Sequence, residues 1–409
     1  MSTAGRAAIS FVGAALLACE PAEQIDPGKP GIDDPSPVVS VRNDRALVAW
    51  HERSPHQIKT SRYATVTGWT APSIFGAGNF PEVALSSLGR AAMIYVDSSG
   101  LRATTMSTLG TWSVPTTIDA ALITHADARY SVGIDDTGRL LAAWRRDGIR
   151  TRHKASGGAW TAETVLDASA SSSHVQVAVN GSGAAVLGYC RAGALFGVAY
   201  DPVTGWGAPT GLTTACCSTH GPDLHVPPLS VSIAESGRGI VAASDMDKVC
   251  VRRYTPGTGW TIQTTISGGT PDSHAPQVAV NSAGQVLAGW LVGTIGNKSL
   301  RVRSFTPVTG WTAILSDTST VEVGPIGIGI GADGNGAAII RTGSPQHMHY
   351  VTYSASSVAL GAAVDMEPGL ALDSYYPRAA FDPTTTEYEG ITVWQRAGNE
   401  EIWASRLGF

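Results

Sequence analysis

The sequence predicts an all-β protein, a single β-propeller of four-stranded blades, with eight blades expected and seven as the alternative. Three observations predict it. A short apolar strand recurs eight times: VVSV from Val38, EVAL from Glu82, SVGI from Ser131, QVAV from Gln176, SVSI from Ser230, QVAV from Gln277, GIGI from Gly327 and RAAF from Arg378. The last residues of these strands, Val41, Leu85, Ile134, Val179, Ile233, Val280, Ile330 and Phe381, are separated by 44, 49, 45, 54, 47, 50 and 51 positions, and strand-like segments at a period near 50 mark a propeller or a solenoid. The third observation separates those two. The penultimate strand residue, Ser40, Ala84, Gly133, Ala178, Ser232, Ala279, Gly329 or Ala380, is small in every copy. Innermost strands of neighbouring blades converge on a propeller's axis and leave little room on one face, whereas a solenoid stacks its layers at constant spacing.

Composition agrees with an all-β chain. Charged residues make up 15% of 409 residues, Gly is abundant at 47, Trp and Tyr number 11 each, and no long helical apolar period runs between the turn signals. The formal net charge of −5 gives no reason to expect nucleic acid as a partner.

In chain order, the first segment is a targeting signal. Arg6 supplies a positive n-region, and residues 7–17 are an apolar run too short to cross a bilayer as a helix. Leu16-Leu17-Ala18-Cys19 resembles the lipobox of bacterial lipoproteins. That resemblance implies that residues 1–18 are a signal peptide and that Cys19 is diacylated and becomes the new N-terminus. Glu20 follows where an Asp tends to retain such proteins at the inner membrane, so the resemblance also implies an exported outer-membrane lipoprotein, facing the periplasm or the surface. Residues 19–37 carry five prolines and five acids and are expected to be an extended tether, with the propeller spanning 38–409.

Each repeat reads as four strands. The apolar strand comes first, and a turn ending in Gly at six of eight positions follows it, for example Gly138 and Gly284, as suits a residue at positive φ. The second strand closes on Trp50, Tyr95, Trp144, Tyr189, Trp290 or Trp394. The third alternates, as in LRVRSF, and a Gly/Thr turn then delivers Trp69, Trp112, Trp160, Trp206, Trp260 or Trp311 to the fourth. A large apolar residue stands six positions beyond five of these Trp: Phe75, Ile118, Leu166, Leu212 and Ile266. The last repeat ends where its third strand should, so residues before Val38 are expected to supply the missing edge, or the last blade stays three-stranded.

Residues 38–409 resemble the repeat propellers of exported bacterial proteins, a group that includes sialidase-like and lectin-like propellers. The shared motifs are blade-building ones. A true Asp box is absent, because Asp136 and Gly138 are followed by Trp only at Trp144, and no arginine triad can be assigned. Sialidase activity is therefore not carried over.

Loops joining fourth to first and second to third strands gather on one face around the channel mouth, where function is expected. His125, His174, His225 and His274 precede four consecutive first strands and are candidate ligand contacts, but no carboxylate recurs beside them and no metal is expected. The aromatic closing the second strand, Trp50, Tyr95, Trp144, Tyr189, Trp290 or Trp394, is a candidate stacking platform for a sugar face, with a sealing role between blades as the competing reading. Arg145, Arg146, Arg150, Arg152, His153 and Lys154 form the one dense basic cluster, read as a solvated edge. Cys190, Cys216, Cys217 and Cys250 are disulfide candidates, with Cys190 and Cys250 each expected to bond one of the adjacent pair. No phosphate loop, GxSxG elbow or HExxH is present, and neither a cofactor nor catalytic residues are assigned. The function expected is a lipid-anchored, non-catalytic propeller, a monomer, that binds a glycan or another envelope polymer and touches outer-membrane lipid through Cys19. The alternatives are a carbohydrate-active enzyme, glycoside hydrolase or lyase-like, with its site at the channel mouth, and a protein-docking scaffold.

Overall fold

A computed structural model describes residues 22–27, 37–53, 56–121, 130–217, 228–245, 247–268, 272–294, 297–317, 321–343, 345–368, 373–382, 389–396 and 401–407. Among them there is no helix, and eight four-stranded blades form a ring. The innermost strands are Val38–Arg42, Asn79–Leu85, Tyr130–Ile134, Ser172–Val179, Leu229–Ile233, Ser273–Val280, Val321–Ile330 and Ser374–Phe381. Blade 3 shows the plan. Tyr130–Ile134, Leu140–Arg145, Ile149–Lys154 and Thr164–Asp167 pair antiparallel in sequence order, so the channel edge is always the first strand.

Ring closure comes from the N-terminal side. Strand Glu23–Asp26 is the fourth strand of blade 8, with Glu23 opposite Ala404 and Asp26 opposite Ile402. This part of the stretch expected to be a tether is therefore blade structure; 28–36, Cys19 and the signal segment lie outside the described residues. Ile25 is buried with Trp50, Val393 and Ile402, and Lys59 of blade 1 reaches Asp26 at 3.0 Å, so one short strand fastens the last blade to the first.

The small position is the wedge that the repeat implies. A methyl added to Gly133 would overlap the Val179 side chain of the next blade, and one added to Gly329 would overlap Phe381. Where the position is Ser, its hydroxyl makes use of the close approach: Ser40 Oγ accepts the Leu85 N–H at 3.0 Å, and Ser232 Oγ accepts the Val280 N–H at 3.3 Å. Such bonds satisfy the free edge of the next innermost strand, which has no ladder partner on its channel side.

The turns between first and second strands form a hydrogen-bonded chain around the axis. Ser87 N–H donates to Asp136, Asp136 N–H to the Gly181 carbonyl, Asn180 Nδ2 to the Ala234 carbonyl, and Asn281 Nδ2 to the Gly331 carbonyl. Arg45 and Arg90, each opening a second strand, donate to carbonyls of the following blade's turn. Further out, a cross-strand aromatic pair closes the third and fourth strands: Tyr63 with Trp69, Tyr200 with Trp206, Tyr254 with Trp260 and Phe305 with Trp311, their ring centroids 5.0–5.4 Å apart.

Candidate functional site

First strands run from the mouth face to the turns just described, which define the opposite, hairpin face. Between the small position and those turns, an axial cavity of about 360 Å³ is lined by the innermost strands of all eight blades. Its hairpin end is barred. Arg42 of blade 1 crosses to Glu235 of blade 5, on the opposite side of the ring, and Asp382 and Asp136 add attraction to the guanidinium. Burial outweighs that attraction and moves Arg42 below its ordinary pKa, although guanidinium remains charged throughout the physiological range. Glu235 is fixed in turn by the Gly181 N–H at 3.0 Å. This pair spans the hairpin end of the cavity.

Two residues before the small position, on the same strand face, the eight blades carry Val38, Glu82, Ser131, Gln176, Ser230, Gln277, Gly327 and Arg378. Long polar side chains occupy blades 2, 4, 6 and 8, and short ones or Val the blades between. The convergence that keeps the next layer small explains the alternation, since two long side chains on adjacent strands would collide. Ser131 and Ser230 are spent on architecture, accepting the Val177 and Val278 N–H groups at 3.1 Å. Glu82, Gln176, Gln277 and Arg378 remain at the rim, Glu82 exposed and the others half-buried.

Glu82 is the electrostatic centre of this rim. Glu82 is exposed at its surface but crowded by neighbouring protein, and this desolvation, only partly offset by Arg378, pushes its pKa up to about 7. Beside it, the buried Tyr130 hydroxyl donates to the Phe80 carbonyl. Burial and then the Glu82 charge push that phenol well above its ordinary range, so it remains a neutral donor. His51 and His56 stack with centroids 5.5 Å apart, and His51 lies 6.1 Å from the Phe80 ring. The result is a polar, partly aromatic wall between blades 1 and 3. Five first strands, those of blades 2, 4, 6, 7 and 8, bulge at this level, turning their mouth ends away from the regular ladder.

The predicted aromatic platform does not exist. Trp50 and Tyr95 are 2% exposed, and Trp144, Tyr189, Trp290 and Trp394 are fully buried. Each packs on the preceding blade, Trp144 against Ile94 and Leu101, Trp290 against Val249 and Ile266, and Trp394 against Met348 and Met366. The polar tips of three stand near an acid at, or two residues beyond, the end of that blade's fourth strand, while Trp290 Nε1 has no hydrogen-bond partner among the described residues. Trp144 Nε1 donates to Asp119 at 2.7 Å, Tyr189 stands beside Asp167, and Trp394 stands against Glu367. These rings are sealed inter-blade bolts, and no sugar can stack on them. The acids, Asp119, Asp167 and Glu367, carry no repeat signature of their own, although each directly follows an apolar residue, Ile118, Leu166 or Met366, two of which stand six positions beyond a repeat Trp.

The histidines are not brought into one ring. His174 is buried with Nδ1 3.1 Å from the Ser173 hydroxyl, and His274 Nδ1 lies 2.9 Å from the Asp272 carbonyl, both local contacts. His125 and His225 lie outside the described residues. No group of three or more His, Cys, Asp or Glu able to hold a metal ion occurs among the described residues. The basic cluster is an ion-paired edge more than a solvated one: Arg146 pairs with Asp119 and with Glu163 at 3.0 Å, and Arg150 pairs with the same Glu163. Cys190 is bonded to Cys217 and Cys216 to Cys250, stapling the connection between blades 4 and 5 to both of them.

No family model matches the sequence, and no curated protein is similar to it. Solved structures are similar in fold alone. The Dos1 propeller matches with a TM-score of 0.55 at 9% identity over 95% of each chain. A PL25 polysaccharide lyase, the ulvan lyase bound to -[GlcA(1-4)Rha3S]-, matches with a TM-score of 0.50 at 10% identity over 93% of this chain and 95% of its own. A prolyl endopeptidase matches at 0.51 and 12% identity over 91% of this chain, which spans 54% of that enzyme.

Proposed function

We propose that the protein is an exported, lipid-anchored propeller that binds a polyhydroxylated ligand, a segment of glycan or of a similar envelope polymer, at the mouth of its axial channel. The observation that carries this reading is the set of Glu82, Gln176, Gln277 and Arg378 on alternate blades, one strand layer to the mouth side of the axial cavity. Carboxylate, carboxamide and guanidinium groups offer paired donors and acceptors, the chemistry that vicinal hydroxyls satisfy, and a cavity of about 360 Å³ falls in the ordinary range for small-ligand sites. A channel barred by Arg42 favours retention over passage. Two buried disulfides suit an oxidising compartment, in keeping with the leader and lipobox of residues 1–19.

A glycan array probed with a Cys19→Ala form that keeps residues 20–409 tests the reading. Binding that falls at least tenfold in Gln176→Ala/Gln277→Ala and is unchanged in Trp290→Phe is expected, a loss of about 1.4 kcal/mol or more. Binding unaffected by both rim substitutions would refute it.

One observation favours a second reading, an enzyme acting on a carbohydrate at the same mouth. A carboxyl group titrating near 7 beside an arginine is suited to proton transfer. Turnover of a glycan that is lost in Glu82→Gln while binding persists would replace the first reading by the second.

A further inference from the structure

Among the described residues, large apolar side chains that stand in water are unevenly distributed over the ring. Val66, Leu109, Val203, Val308 and Val358 occupy the turns between third and fourth strands of blades 1, 2, 4, 6 and 7, and Leu88 the first turn of blade 2, all on the hairpin face. Val66, Val203 and Val308 are 96%, 90% and 93% exposed. The other exposed large apolar residues, Ile74, Val114, Val165, Ile262 and Val364, flank the ring on its outer strands. Among the described residues, none occupies a second-to-third-strand turn on the mouth face. Turn geometry does not ask for these valines, because turns draw on Gly, Pro, Asn, Asp and Ser, and a β-branched side chain at a tip gains nothing from the bend. The same Val-Thr-Gly-Trp nevertheless recurs from Val66, Val203 and Val308.

Chain direction supplies an independent observation. Strand Glu23–Asp26 runs antiparallel to Ile402–Leu407, hence from the hairpin face toward the mouth. Ala22 therefore enters blade 8 at its hairpin end. Cys19 lies three residues before Ala22, too few to carry an attached lipid around to the mouth face. The exposed Arg45 and the half-buried Arg90, Arg139 and Arg238 open second strands on this face and suit anionic headgroups, while Asp44, Asp201 and Asp333 stand there too. With charge mixed, the apolar tips decide the partner.

We propose that the hairpin face is a membrane-docking surface, whose turn tips at Val66, Leu109, Val203, Val308 and Val358 enter the headgroup–acyl boundary of a phospholipid bilayer and hold the channel mouth directed away from it. The inference rests on the lipid-anchor reading of Cys19. The acyl chains retain the protein at the bilayer; the tips fix its orientation. Rigid blades make this effective, since several tips at one level of a closed ring must touch the surface together.

The test uses the full chain, expressed with its leader and reconstituted into phosphatidylethanolamine/phosphatidylglycerol vesicles. Single cysteines at Val203→Cys and Val308→Cys on the hairpin face, and at Ser99→Cys and Ala192→Cys on the mouth face, carry an environment-sensitive nitrobenzoxadiazole label, the native mature cysteines being bonded. Labels at 203 and 308 are expected to brighten roughly threefold with a blue shift and to be quenched by doxyl lipid, while those at 99 and 192 stay as in water. In a Val66→Ser/Val203→Ser background the label at 308 is expected to lose most of that gain, with both disulfides intact by mass. Lipid on Cys19 together with equal signals on the two faces overturns docking and leaves anchoring standing. An unmodified Cys19 in the mass of the N-terminal peptide overturns both. A dimer of the Cys19→Ala form that buries positions 203 and 308 assigns the face to a second copy and likewise overturns membrane docking.

Discussion

Replacing Gly133 by Ala tests why the innermost strands carry small residues. The added Cβ would overlap Val179 Cγ2 and stand 2.8 Å from Val179 Cβ, against an ordinary carbon–carbon contact of about 3.5 Å, so the first strands of blades 3 and 4 must separate by about 0.7 Å. Two residues nearer the mouth, the Ser131 hydroxyl holds the Val177 N–H at 3.1 Å, and that separation weakens it. Over-packing of this kind costs about 2–3 kcal/mol, the strained hydrogen bond adds up to about 1, and the strand preference for Ala over Gly returns about 0.5–1. A net loss of about 2–3 kcal/mol is expected. Val179→Ala alone, at a half-buried site, should cost about 1 kcal/mol in lost apolar contact. The double variant should then cost about 1–2 kcal/mol, well under the sum, because the truncated neighbour makes room for the new methyl. Urea unfolding followed by far-ultraviolet circular dichroism, compared at unchanged denaturant slope, gives the coupling directly. Additivity within about 0.5 kcal/mol, or a Gly133→Ala cost below that, would refute the wedge.

Other contacts make equally specific predictions. Asp119→Ala leaves the Trp144 indole N–H buried without its acceptor and should cost about 2–3 kcal/mol, while Asp119→Asn, which keeps an acceptor, should cost less than half of that by the same urea assay. Glu82 should titrate near 7 in carbon-13 spectra. Because the folded state holds a proton that the unfolded chain releases near 4.5, stability should fall as pH rises between about 4.5 and 7. Glu82→Gln should flatten that fall. Non-reducing peptide mapping should recover Cys190 linked to Cys217 and Cys216 linked to Cys250; removing either pair as Cys→Ser should cost about 3–4 kcal/mol for loops of 27 and 34 residues.

Most of the blade was legible in the sequence because propeller geometry imposes the same demand eight times. A wedge at the axis leaves small residues at Ser40, Gly133 and Gly329, and a turn at positive φ leaves Gly138 and Gly284. The strand contributed by Glu23–Asp26 was less legible. It has four residues, no Trp ahead of it in register and prolines on either side, so it carries none of the signals that mark the other fourth strands. The aromatic at the end of the second strand left two readings open, platform or seal, and its burial selects the seal. Recurrence reveals that a position is demanded, but Trp144 and Trp290 recur because each blade must seal against the one before it, a demand that any ligand-facing position would also have to outcompete.

The rim and the bar across the channel show what recurrence conceals. Around the mouth, identity does not repeat; size does, with a period of two blades, and Glu82, Gln176, Gln277 and Arg378 were all visible in the eight aligned strands. An eye searching for sameness passes over alternation, yet crowding on converging strands makes alternation the expected way to admit long polar groups at all. Arg42 and Glu235 leave still less trace, since the pair joins opposite blades 193 positions apart and no other blade carries a basic residue at the position of Arg42. A contact made once per ring carries no periodic signature, whatever its worth. Function in a repeat fold therefore has to be sought in such single or alternating departures, and here both kinds meet in one channel: the bar spans its hairpin end and the rim gives it chemistry.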